Sequence, residues 1–131
     1  MLVHFPVAAW TVASGLALLA PWQSPGDRAA LVVALARGGN AFGLVTGTVA
    51  MLAGLMELTG LPEDRRLRAA LARHLILVVC AWFGFGLTWA LQVKHMLPAA
   101  AATSLVAFGL LVLAGHAGAR VVYHHGFPTR T

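Results

Sequence analysis

Four long stretches of the chain carry no Asp, Glu, Lys or Arg: residues 1–26, 38–56, 74–93 and 95–119. A helix needs roughly 20 predominantly apolar residues to cross a bilayer. The pattern therefore predicts four crossings, over about residues 5–22, 38–59, 71–93 and 99–123. What remains is short connectors, so residues 1–131 form one domain with no separate soluble part. The expected architecture is an all-α integral membrane four-helix bundle, up-down-up-down, with both termini on the same side. No internal repeat or low-complexity segment interrupts it.

Local signals mark the boundaries. Pro6 suits a first helical turn, and the breaker cluster Pro21-Trp22-Gln23-Ser24-Pro25-Gly26 ends the first span. Residues 27–37 read as a helical lead-in to the second span, lying at the interface. Gly60-Leu61-Pro62 closes that span, and residues 63–73 begin the third helix with acids in its first turn. Pro98 separates the third helix from the fourth, which ends near His125. The first span has no basic residue ahead of its apolar core, so it reads as a membrane helix rather than a cleaved signal peptide.

Composition sharpens this picture. The chain is 60% hydrophobic and 10% charged, with a mean hydropathy of +0.82. A soluble domain has about 45–50% apolar and about 25% charged residues. A soluble enzyme, a disordered tail and a disulfide scaffold are all disfavoured. The single cysteine, Cys80, has no internal partner, matches no metal spacing and reads as inert. The net charge of +5 belongs with membrane orientation rather than nucleic acid. Six arginines (Arg65, Arg66, Arg68, Arg73, Arg120, Arg130) fall on the side of the termini, against Arg28, Arg37 and Lys94 opposite. The positive-inside rule then places both termini in the cytoplasm.

Packing is also legible. Gly43, Gly47, Ala50 and Gly54 form a small-residue stripe on the second helix, along which another helix can approach closely. Ala114 and Gly118 make a shorter one on the fourth. Trp22 and Trp89 are placed as interfacial anchors, with Trp10 and Trp82 deeper. Met51, Met56, Phe83, Phe85 and Phe108 read as packing residues rather than cofactor contacts.

The candidate chemistry lies in the six histidines. His4, His74, His116, His124 and His125 all fall in the half of the membrane that bears the termini, as does Glu57. His95 lies at the opposite face and reads as a loop residue. At about 1.5 Å per residue, His74 lies about 10 Å inside its helix start and His116 about 13 Å from its helix end. Two neutral imidazoles at one depth on two helices of a bundle is a pattern of b-type haem ligation. Arg120 could meet a haem propionate or snorkel. Glu57 could handle protons, contact a quinone or metal, or pair with Arg65, Arg73 or Arg120. Each histidine could equally hydrogen-bond to a neighbouring helix. No H-E-x-x-H, phosphate-binding glycine loop or G-x-S-x-G elbow is present, nor a channel filter or transporter symmetry.

The opening M-L-V-H-F-P-V-A-A-W resembles the H-F-P-I-A-L-W start of a bacterial membrane family, the domain of unknown function 2231. The A-G-L-M-E-L that closes the second span, the Arg73-His74 pair and the final G-x-x-G-x-x-V-V-Y-H-H-G are similar to that family in the same order. The resemblance covers essentially the whole chain. It implies a four-helix protein of the bacterial cytoplasmic membrane. Related domains occur joined to Rieske-type iron–sulfur or cytochrome c-like modules, which implies redox work. The family-like positions are His4, Glu57, His74 and His125. At His116 the family more often has an aromatic residue, and at Arg120 often an acid, so this chain departs from it there.

Three functions follow as expectations. The first is a small redox subunit, not an enzyme by itself, binding haem b through two of His4, His74, His116 and His125, with Arg120 beside it. The second is a cofactor-free anchor or assembly subunit of a larger redox complex. The third is a quinone or transition-metal site, the metal held by His4, His74 and His125, with Glu57 taking part. A Rieske-type or cytochrome-like partner and a homo-oligomer are the expected associations, besides the bilayer itself.

Overall fold

The computed structural model describes residues 3–58 and 65–125, without the side chains of residues 57–58 and 122–125. Every regular element among them is helical: α1 His4–Leu19, α2 Asp27–Leu58, α3 Arg65–Val93 and α4 Leu97–His125. All four are long and apolar enough to cross a membrane, α1 together with the 3-10 turn Ala20–Trp22 that extends it.

Pro6 falls within the first turn of α1, where backbone N–H groups have no helical partner to lose. After the 3-10 turn the chain extends at Gln23 and passes Gly26 at φ +153°, a region open to glycine but not to residues with a Cβ. Asp27 in the first turn of α2 places an acid at the positive helix end. α2 then runs unbroken for 32 residues. Residues 27–37 are thus helical, as expected of a lead-in, and continuous with the second span. The small pair Gly38-Gly39 does not interrupt it, and the Gly39 site is closed by Ala13, whose Cβ would lie 3.1 Å from a Cβ built there. Gly60-Leu61-Pro62 and the acids Glu63 and Asp64 lie outside the described residues.

α3 ends in a Schellman motif. Met96 N–H bonds the Leu91 carbonyl at 2.9 Å, and His95 N–H bonds that of Gln92 at 3.2 Å. His95 holds the left-handed position, at φ +58°, where glycine is usual. The reversal is thus made by residues 94–96, and Pro98 sits inside the first turn of α4 rather than between the helices.

α3 packs most extensively on α4 and α1 on α2, with further contacts of α1 on α4 and α2 on α3. Trp10 and Phe85 stack at the centre, ring centroids 4.6 Å apart and planes 7° from parallel. Trp10 fills the trough made by Gly43 and Gly47, where an added Cβ would come within 2.6 Å of the indole at either position. The small-residue stripe therefore receives a tryptophan, not a closely approaching backbone. On the other pair, Gly84 lies against Ala107, where a Cβ would be 2.8 Å from the alanine methyl.

The distribution of polarity is the reverse of a soluble domain's. Phe5, Val12, Phe42, Val45, Leu52, Ile76, Phe83 and Val106 point outward. Of the five largest fully buried side chains only Phe85 is apolar; the others are Gln92, Asn40, Thr88 and Ser104. These interior groups join helices. Ser104 donates to Ser14 at 3.0 Å, Thr88 to Thr103 at 3.0 Å, and Asn40 Nδ2 to Gln92 Oε1 at 3.1 Å. Interhelical hydrogen bonds of this kind contribute about 0.6 kcal/mol each in a membrane.

Candidate functional site

The bundle is not filled along its whole length. On one side of the Trp10–Phe85 stack lies a cavity of about 480 Å³, walled by all four helices. α1 contributes Pro6, Val7, Trp10 and Thr11; α2 contributes Gly47, Ala50, Met51 and Gly54. α3 supplies Leu71, His74 and Val78, and α4 supplies Phe108, Leu111 and Ala114. The space follows from the small-residue stripe. Trp10 occupies Gly43 and Gly47, but no group lies within 4 Å of a Cβ built at Gly54. The volume falls inside the range of roughly 300–1,000 Å³ usual for small-molecule pockets.

Among the described residues, His74 is the one titratable side chain in this wall. Its ring lies on α4 over Gly118, where a Cβ would be 3.0 Å from Cε1. Its Nδ1 is 2.8 Å from the Ala114 carbonyl oxygen. A carbonyl only accepts, so Nδ1 carries the proton and donates it. The pair Ala114 and Gly118, small residues one helical turn apart, thus forms the seat of an imidazole.

The other expected site residues are dispersed. His116 is exposed and lies two residues from both Ala114 and Gly118. At 3.6 residues per turn that is about 200° around α4 from the face that His74 touches. The similar depth of the two histidines holds, because Ala114 and Gly118 bracket position 116. Their facing each other does not: a rise per residue gives depth, whereas direction depends on which face of α4 packs inward. His4 is exposed and borders a shallow outer groove with Phe5, Ala8, Ala9, Val12 and Phe42, away from the cavity. Arg120 is exposed on α4. Glu57 lies in α2 and His125 in α4, and the side chains of both are outside the described ones, as is that of His124. Among the described residues no group of three His, Cys, Asp or Glu side chains comes together as a metal site.

A second polar group was not anticipated. Arg37 donates from Nη2 to the Gln92 carbonyl at 2.8 Å, in the last turn of α3, beside the bond that this carbonyl accepts from His95 N–H. Beside it, Asn40 is 0% and Gln92 2% exposed. Arg37 Nε, Asn40 Oδ1 and Gln92 Nε2 remain buried without a partner. An Asn and a Gln inside apolar runs were the available signal, since polar side chains in such helices seek partners on their neighbours. Ser14 and Ser104, which have no catalytic partners in sequence, bond to each other. Cys80 is exposed on the outside of α3.

No protein-family model, curated protein or solved structure matches this chain.

Proposed function

We propose that this is a multi-pass membrane protein that binds a lipid-soluble, redox-active ring of the quinone class in the four-helix cavity, with His74 as its polar contact. The observation that carries this reading is a largely apolar space within the helices, holding one oriented imidazole. Water needs two to four polar partners in such a site, whereas an apolar ring with a single polar head matches it. Four helices with apolar outer faces give such a ligand access from the bilayer.

The up-down-up-down topology, with both termini on one side, is supported by the order of contacts. His74–Ala114, Gly84–Ala107 and Thr88–Thr103 run in opposite directions along α3 and α4. Trp10 against Gly43 and Ala13 against Gly39 do the same on α1 and α2. A cytoplasmic place for the termini, in a bacterial inner membrane, is supported by the asymmetry of basic residues. Arg37 lies within α2 rather than in a loop, and six arginines stand on the side of the termini against Arg28, Arg37 and Lys94 opposite. Membership of the family with the resembling motifs fits the same reading.

Haem b is a second reading, favoured by one feature. A ligand imidazole characteristically donates its other N–H to a carbonyl, as His74 does. The described residues bring no second imidazole to the cavity, so His74 would serve alone or with His125. Bound haem would supply one-electron transfer, and His74 would orient it.

The test is extraction of lipid-soluble species from purified wild-type protein and from Gly54→Leu, which places a side chain in the cavity. A quinone-class molecule near one per chain, present in the wild type and lost in the variant, is the expected result. Equal amounts in both, or none in either, would overturn the proposal. A b-type visible band abolished by His74→Ala would favour haem.

A further inference from the structure

Resting on the reading of the cavity as a quinone-class site, we infer that it selects the reduced, hydroxyl-bearing form of its ligand, a quinol rather than a quinone. The selection follows from the lone pairs that His74 and Thr11 turn to the ligand once their own hydrogens are bonded to backbone carbonyls.

His74 spends its Nδ1 proton on the Ala114 carbonyl, 2.8 Å away. That oxygen can accept from a side chain in addition to its own helix, because a carbonyl has two lone pairs. Gly118 keeps it uncovered. A Cβ there would stand 3.0–3.1 Å from the ring atoms Cε1 and Nδ1, tighter than ordinary contact, so the imidazole would have to shift. With the proton on Nδ1, the Nδ1–H tautomer of the ring has its lone pair on Nε2. Nε2 makes no hydrogen bond among the described residues.

Thr11, a second polar side chain among the described residues of the wall, behaves alike. Thr11 donates its hydroxyl hydrogen to the Val7 carbonyl of its own helix at 2.8 Å, leaving oxygen lone pairs. The indole N–H of Trp10 is a donor without a hydrogen-bond partner, but it is buried over Gly43, which is not part of the wall. The ring edge at Gly47, which is part of the wall, is carbon. Pro6 has no N–H, and that of Val7 is bonded to Val3. The side chains of the wall therefore offer acceptors. A quinol supplies O–H donors to match them. At His74 Nε2 a quinone carbonyl would set lone pair against lone pair, in a site too apolar to provide a compensating water.

Gly118 is accordingly a positioning residue and His74 the contact. The experiment is calorimetric titration of the full chain in detergent, under argon, with a short-chain benzoquinol and separately with its benzoquinone. Alongside it, ¹⁵N spectra of histidine-labelled protein read the protonated nitrogen of His74. The expected result is quinol binding about tenfold tighter than quinone, the effect of one well-made hydrogen bond against a mismatched one, with His74 as the Nδ1–H tautomer. His74→Phe, which keeps a ring but has no lone pair, should bring the two affinities together. Gly118→Ala should shift the His74 signals and narrow the ratio while the melting transition persists. Equal or tighter quinone binding in the wild type would overturn the selection and leave the cavity reading intact, as would a doubly protonated or Nε2–H His74. Binding of neither form by folded protein would overturn both.

Discussion

Alanine at Gly43 and alanine at Gly54 are the same change on the same helix, 11 residues apart in one small-residue stripe. The structure predicts opposite consequences. A Cβ at Gly43 would lie 2.6 Å from Cδ1 of Trp10, where carbon atoms settle at about 3.5–4.0 Å. The indole must therefore retreat by about 1 Å, yet it is 3% exposed and stacked on Phe85. Forcing a methyl into packing of this kind costs about 1–3 kcal/mol. A Cβ at Gly54 meets nothing within 4 Å. The backbone benefit of alanine over glycine in a helix, about 0.5–1 kcal/mol, is common to both. It cancels in the difference, so Gly43→Ala should be less stable than Gly54→Ala by about 1–3 kcal/mol. Equilibrium unfolding in mixed micelles, read by far-ultraviolet circular dichroism, measures this directly. Trp10→Leu provides the control, since a smaller side chain in the trough should remove most of the penalty at Gly43 through coupling. Equal stabilities for the two alanine variants, or a Gly43 penalty that survives Trp10→Leu, would refute the seating of Trp10 in the stripe.

Other consequences are as direct. Asn40→Leu should destabilise by about 1–3 kcal/mol by leaving Gln92 Oε1 without its donor. The double variant Asn40→Leu, Gln92→Leu should cost less than the two single losses added, and a double-mutant cycle in the same unfolding assay would show it. His95→Gly should stabilise by about 1 kcal/mol, because glycine holds the left-handed C′ position without the penalty of a Cβ. Lys94→Gly, one residue earlier, should give no such gain in thermal melting. His116→Leu should leave ligand occupancy of the cavity unchanged while His74→Phe alters it, since the two histidines lie on opposite sides of the α4 face; equal effects in the extraction assay would contradict that placement.

The seating of Trp10, His74 and Asn40 marks the boundary between what the chain's pattern reveals and what packing adds. Four helices were legible because apolar runs of crossing length, broken by Pro and Gly clusters, leave few alternatives. The small-residue stripe on α2 was legible too, as a place of close approach, but not its occupant. Glycines specify only that room exists, and a tryptophan from another helix or an unfilled cavity satisfies them equally. The depth of His74 and His116 followed from helical rise, a property of one helix taken alone. Their directions did not, because the rotation of a helix about its axis is fixed by its neighbours. An outward-facing pattern that is apolar on nearly every side gives little help: when most residues suit lipid, hydrophobicity no longer points to the core.

The sequence by itself determined the four helices and the approximate places of the α1–α2 and α3–α4 reversals, since those depend on local dihedral preferences and on runs of residues next to one another. It also set the pairing potential of Asn40, Gln92, Ser14 and Ser104, groups that need partners wherever they are buried. Only the tertiary structure decided which partners they met. It placed His74 on the Ala114 carbonyl and turned His116 away, and it left a cavity beyond Trp10 where the α2 stripe continues without a large side chain to fill it. Each of those outcomes depends on the relative rotation of helices far apart in the chain, which close packing and interhelical hydrogen bonds select together.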